Sequence, residues 1–276
     1  MFSRLLVGID SSAGATAALT AAIDLGRRFH STIVLAAITD IQVLEAPLLA
    51  SAPLWTEGLP PLPADQSLGP VMRERAERLV EAASQRVRDA GLAVETVFAT
   101  GIVEEELLHL AEQSEALVVG RRGEMHTDPG TLGATTVKLV RRSPKPVLIA
   151  GESPSPCQRP VVAYDGGETS SSALALASRY CGAVGVALVV VHVGSDAGAA
   201  AALLARAEAF CSSQQVACEV HWLQGDVARA IATHVEVTGA DLIVAGAHGG
   251  RRRSWSIGSH AEQLLRTTSV PVIIVR

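Results

Sequence analysis

Two stretches decide how this chain folds: RLLVGIDSSAGATAALTAAIDLGRRFHSTIVLAAI (Arg4–Ile38) and RPVVAYDGGETSSSALALASRYCGAVGVALVVVHV (Arg159–Val193). Each is an apolar run closing on an Asp (Asp10, Asp165), then a Gly/Ser turn, an alanine-rich helical stretch and a second β-rich run. The correspondence returns near the end of each half. There ALVVGRRGE answers DLIVAGAHGG, and LGATTVKLVRRSPKPVLIA answers IGSHAEQLLRTTSVPVIIV. A chain written twice is read as two copies of one unit before any motif is weighed. The offset is 155 from Asp10 to Asp165, but 126 from Gly120 to Gly246 and 125 from Gly133 to Gly258. The first half is longer by an insertion that matches the Pro-rich, aperiodic segment 40–70. A loop of that length is expected to be functional or disordered.

Within each unit strands and helices alternate. The first unit predicts strands near 4–9, 32–38, 93–98, 116–120 and 146–150, with helices near 14–29, 71–90, 102–114 and 133–142. The second predicts strands near 160–164, 186–193, 216–223, 241–246 and 271–275. The 71–90 helix carries Met72, Ala76, Leu79, Val80, Ala83, Val87 and Ala90 as one stripe at helical spacing; Arg73, Glu74, Arg75, Glu77 and Arg78 make its solvated face. Continuous runs such as ALVVV and DLIVAG suit strands buried on both faces, hence parallel sheets sandwiched by helices. GESPSPCQRP (Gly151–Pro160) reads as a linker, which sets domains at 1–150 and 159–276.

The totals exclude several classes. Apolar residues make up 48% of the 276, enough for real cores, and a net charge of −5 argues against nucleic acid as the partner. No stretch approaches the roughly 18 apolar residues of a membrane span. MFSRLLVGID passes straight into a strand without a signal-peptide layout, so a cytoplasmic protein is expected. The four cysteines lie in the second half with no C-x-x-C pair, and read as buried thiols. The eight histidines show no metal spacing, so no metal site is assigned. No nucleophile elbow, Walker loop or G-x-G-x-x-G fingerprint is present, and no catalytic residue is assigned.

What remains is a pair of glycine loops. Gly120 and Gly123 follow an apolar run, and Gly133 opens a helix; Gly246, Gly249 and Gly258 repeat this. Glycines admit close approach to the backbone, and a helix N-terminus offers unpaired N–H groups, so the combination suits phosphates. Beside the end of the first strand, Asp10 suits ribose hydroxyls. Arg121, Arg122 and Arg251–Arg253 fit either a phosphate clamp or a solvated loop. His126 and His248 fit either ligand contact or exposure, and Trp55 either a cover for a base or a peg holding its own loop.

The repeat, GIDSS after the first strand and the G-x2-G-x9-G spacing resemble a tandem universal stress protein over nearly the whole chain. The resemblance implies two doubly wound α/β domains, adenine nucleotide alpha hydrolase-like, each a five-stranded parallel sheet of order 3-2-1-4-5. It also implies an ATP-binding stress-response regulator, with Mg beside the nucleotide. By resemblance Asp10 meets the adenosine, and the backbone of Ala37, Ile38 and Thr39 closes over adenine. Gly120, Arg121 and Gly123 meet ribose and phosphates, while Gly133, Ala134 and Thr135, with Thr136, hold the phosphates. Asp165, Gly246, His248, Gly249, Gly258 and Ser259 are the second-domain counterparts.

The departures are informative. Ala134 stands where the family's pattern has Ser or Thr, and Glu124 and Asp128 are acids in the phosphate loop. The second domain has GG after Asp165 and one residue fewer between Gly249 and Gly258, a displacement of about 3.3 Å per extended residue. Domain 1 is therefore the preferred site. The last strands, PKPVLIA and VPVIIV, are expected to pair with each other as apolar edges needing cover, and a homodimer is expected. The rival readings are a nucleotide-free interaction module and a slow ATP hydrolase.

Overall fold

The computed structural model describes residues 1–42, 68–124, 131–248 and 259–276. Most of the 40–70 insertion with Trp55, the loop residues His126 and Asp128, and Gly249, Arg251–Arg253 and Gly258 lie outside the described residues. The first unit runs β1 (Arg4–Gly8), α1 (Ala13–Phe29), β2 (Thr32–Asp40), α2 (Leu68–Asp89), β3 (Ala93–Gly101), α3 (Val103–Ala111), β4 (Ala116–Val119), α4 (Ala134–Arg142) and β5 (Val147–Ile149). The second runs β6 (Pro160–Ala163), α5 (Glu168–Val184), β7 (Leu188–Val193), α6 (Ala197–Ser213), β8 (Cys218–Leu223), α7 (Val227–Thr238), β9 (Leu242–Gly246), α8 (Ser259–Thr267) and β10 (Val272–Val275).

Local chemistry sets the element ends. Ser12 starts α1 by accepting the Ala15 N–H, and His30 closes it in the left-handed region at φ 51°. Asp226 caps α7 through Arg229 N, and Gly239 ends it at φ 65°. Both units have the strand order 3-2-1-4-5, and all strand pairs within each are parallel. The two units share one ten-stranded sheet, because β5 and β10 pair antiparallel with Val272 opposite Ile149 and Ile274 opposite Val147. The apolar edge of each unit is thus covered by the other.

Side chains alternate across this sheet at period two. Leu5, Val7, Ile33, Leu35, Val118, Leu148 and Ile273 belong to one core cluster, with residues of α1, α2, α5 and α6. Leu6, Val34, Leu117, Val119, Ile149 and Ile274 belong to the other, with residues of α3, α4, α7 and α8. Each cluster runs through both units. The sheet is common to both units, and the loops follow the carboxyl ends of its strands.

Candidate functional site

In a doubly wound sheet, ligands sit where the strand order reverses. Here that point lies between β1 and β4 in domain 1 and between β6 and β9 in domain 2. β2 pairs with β1 only as far as Gly8 opposite Ala36, closed by a bond from Ile9 N to Ala36 O at 2.8 Å. The backbone of Ala37, Ile38 and Thr39 therefore continues past the end of β1, at the crevice.

Asp10 follows β1. One of its oxygens accepts the Ser12 N–H at 2.8 Å, which turns the chain into α1. The other faces Gly123, where a Cβ would sit 3.0 Å from Asp10 Oδ2. Gly133 is next to the same place: a Cβ on it would lie 3.5 Å from Gly123 N, and its N–H donates to Arg121 O at 2.8 Å. Gly133 is the N-cap of α4, and no side chain caps that helix. The N–H groups of its first turn, from Ala134 to Thr136, are left for another acceptor. Asp10, Gly123 and the start of α4 thus converge, as the spacing in sequence anticipated.

The structure assigns other work to some of the predicted residues. A Cβ on Gly120 would fall 2.4 to 2.5 Å from backbone atoms of Gly14, so Gly120 is the contact between β4 and α1. A side chain there is excluded by packing before any ligand is considered. Thr136 is buried and donates to Gly120 O at 2.9 Å, so its hydroxyl points inward and does not replace the one Ala134 lacks. Thr135 is half-buried, and its hydroxyl makes no hydrogen bond among the described residues. The clamp reading of Arg121 needs correction. The residue is 8% exposed, and its guanidinium donates to the carbonyls of Leu265 and, at 2.8 Å, Val270, both in domain 2. Only its backbone remains at the crevice. Burial lowers its pKa, with Glu152 opposing and Arg122 assisting.

Glu124 is drawn across the mouth. It accepts from Ser11 N and Ser11 Oγ, both at 2.6 Å, and from Arg75 at 3.0 Å. Burial pushes its carboxyl up, but the Ser11 bonds and Arg75 outweigh that and hold it below the usual carboxylate range. Among the described residues no group of three His, Cys, Asp or Glu could hold a metal ion. All four cysteines are free thiols, and burial pushes Cys181 up to about 12, far from a nucleophile at neutral pH.

The corresponding crevice of domain 2 is a cavity of about 300 Å³ bordered by Asp165, Ser170, His192, Gly246, His248 and His260. Asp165 accepts from Gly167 N at 2.8 Å and Ser170 Oγ at 2.6 Å. Thr169 donates to His248 O at 2.6 Å, and a Cβ on Gly246 would meet Thr169 Oγ1 at 2.5 Å. His192 Nδ1 lies 2.9 Å from Tyr164 O. Sequence reasoning overlooked His192, Ser170 and His260. The 155-residue offset was the available signal, since it sets His192 against Ala37 and Ser170 against Ala15.

The fold and its paired switch points define a duplicated, doubly wound α/β protein with a switch-point crevice at the carboxyl ends of each unit's strands. The profile described as the universal stress protein family matches residues 1–151 and again 157–276, and the chain belongs to that family as a tandem of two domains. It is 30% identical over 208 residues to the universal stress protein Slr1230 of Synechocystis sp., covering 74% of this chain and 72% of the relative. It is 28% identical over 297 residues to the universal stress protein Rv2623 of Mycobacterium tuberculosis, covering 99% and 96%. A crystal structure of a universal stress protein from Archaeoglobus fulgidus is similar in fold, with a TM-score of 0.80 at 22% identity, over 99% of this chain and 96% of that one. Among the described residues no helix is long and apolar enough to cross a membrane.

Proposed function

We propose that this universal stress protein is an adenine-nucleotide-binding regulator whose main site is the domain 1 crevice. The observation that carries the reading is the convergence of Asp10, Gly123 and the uncapped start of α4, with Gly123 facing the Asp10 carboxylate at 3.0 Å from its Cβ position. A carboxylate suits ribose hydroxyls, and the first-turn N–H groups and positive end of a helix suit phosphates. In this reading the Ala37–Thr39 backbone takes the base, and the main chain of Arg121, Gly123, Gly133, Ala134 and Thr135 takes ribose and phosphates. Because those contacts are main-chain, Ala134 costs the site a hydroxyl but no N–H. Magnesium would arrive on the phosphates, as it commonly does when few carboxylates are available. Nucleotide would act by favouring one shape or assembly state of the chain, a homodimer being the simplest.

The cavity of about 300 Å³ favours a second reading, in which domain 2 also takes a ligand. That volume is at the lower end of the range for small-molecule pockets. Equilibrium dialysis of the whole chain against ATP with Mg²⁺ separates the two. About one ATP per chain, lost in Gly123→Val, supports the domain 1 reading, and about two supports both sites. No binding would leave a nucleotide-free interaction module on the same fold.

A further inference from the structure

Arg121 is placed unlike any other cation described in the chain. It lies between Gly120 and Gly123 of the domain 1 loop, yet its guanidinium is buried in domain 2. Its main chain and side chain hold two different helices. The Arg121 carbonyl accepts the N–H of Gly133, the N-cap of α4. The guanidinium donates to Leu265 O in the last turn of α8 and to Val270 O in the approach to β10. The last carbonyls of a helix lack intrahelical partners, so a cation from the other domain completes the C-terminal end of α8.

Burying a guanidinium is unfavourable unless its hydrogen bonds are met, and Arg121 Nε has no partner among the described residues. An apolar side chain would fill this seam at less cost. The repeat supplies that comparison. At the offset of Gly120 to Gly246, Arg121 corresponds to Ala247, which is fully buried and carries no such anchor. Among the described residues the link therefore runs one way, from the domain 1 loop into domain 2. It ends on α8, whose Ala261 and Leu264 line the domain 2 cavity.

We infer that Arg121 is a positioning residue: through its grip on α8 and Val270, domain 2 holds the backbone at Gly120–Gly123 and at Gly133 of domain 1 in its binding shape. The role assigned to that shape rests on the nucleotide reading above. The domain 1 site is then incomplete without domain 2, and a ligand in the domain 2 cavity touches the helix that sets the domain 1 loop.

The test compares the full chain with Arg121→Met, which fills the volume without the bonds, Arg121→Lys, which restores part of them, and Arg141→Ala. The last removes a different interdomain contact, Arg141 to Glu262 at 3.1 Å, without touching the loop. Amide exchange is read at Gly133 and in the last turn of α8, with Mg-ATP affinity by dialysis and urea stability in parallel. Arg121→Met is expected to speed exchange at both places and weaken ATP about tenfold while stability stays near that of the unmodified chain. Lys should recover part of both effects, and Arg141→Ala should change neither by more than about twofold. Unaltered Gly133 exchange in Arg121→Met overturns the inference. So does an equal effect of Arg141→Ala, which would mean general loosening of the seam. If the unmodified chain binds no ATP, the nucleotide reading fails on its own, and the exchange data still decide whether Arg121 anchors the loop.

Discussion

The two copies differ most where helix meets loop. In domain 1 the carbonyl of Arg122 approaches Gly14 so closely that a Cβ would lie 2.0 Å from it. In domain 2 the matching position is Thr169, whose hydroxyl takes the carbonyl of His248 at 2.6 Å. One loop lies directly on the helix backbone and the other is spaced from it by a side chain. A second difference follows on the next strand. Ala37 is buried in the core on β2, whereas His192 at the corresponding place borders the domain 2 cavity, with its Nδ1 2.9 Å from Tyr164 O. Domain 1 thus has a loop tied down at Gly14, at Arg121 and at Glu124. Domain 2 has histidines around a preformed cavity. Duplication supplied one architecture twice, and a few side chains at the switch point have separated the two crevices.

That comparison can be broken in order of expected effect. Gly123→Val puts a branched side chain against the Asp10 carboxylate, so Mg-ATP binding in domain 1 should fall by about a hundredfold or more. Dialysis checks this, and retained binding of one ATP per chain would move the site to domain 2. Gly14→Thr copies the domain 2 residue into domain 1. Its Cβ would strike backbone, so urea unfolding should show a loss of about 1–3 kcal/mol. A neutral result would make the two helix starts interchangeable.

Ala37→His transplants the other difference and should weaken ATP about tenfold by crowding the buried Ala37 position and displacing the backbone that takes the base. The reciprocal His192→Ala should widen the domain 2 cavity, and a gain of a second bound ATP there would sharpen the contrast. The smallest effect belongs to the seam. Glu262 pairs with Arg266 at 3.0 Å and with Arg141 of the other domain at 3.1 Å, whereas Val137 stands at its repeat position. The Arg266 bond, opposed by burial and aided by Arg141, holds its carboxyl below the ordinary 4.5. A depressed carboxyl stabilises the fold above its unfolded pKa, and the contribution is lost as pH falls through the lower folded value. Glu262→Gln should therefore cost at most about 1 kcal/mol at neutral pH, because the pair is partly exposed. The difference should vanish in acid once the native carboxyl is protonated, and a pH series of urea midpoints reads it.

Much of the fold was legible because its signals are local. Apolar runs such as LIVAG, bounded by turns and spaced by amphipathic stretches, mark buried parallel strands whatever surrounds them. β4 and β9 fall within a residue or two of where those runs place them. Ser12 and Gly133 likewise sit at the helix starts that the Gly/Ser turns indicate. The edges were less legible. β3 extends to Gly101, beyond the apolar run, because its length is set by pairing with all of β2.

The candidate site divides in the same way. That Asp10, Gly123 and Gly133 meet was implied by their positions at strand ends and a helix start, which the doubly wound order brings together. What each neighbour does was not. Gly120 serves helix packing, Thr136 turns inward and Arg121 leaves its loop for the other domain, and none of this is written in the spacing.

The sequence by itself determined the duplication, the alternation of strands and helices, and the end of each unit's strands at which its glycine loop lies. Each of those follows from periodicity and turn chemistry within a few residues. The pairing of β5 with β10 was expected from their apolar edges, and the structure shows it as antiparallel. Only the tertiary structure decided that Arg121 reaches α8 and that His192 borders the domain 2 cavity. Those outcomes depend on which atoms lie within a few ångström across long stretches of chain. Packing fixes such distances, and no local pattern encodes them.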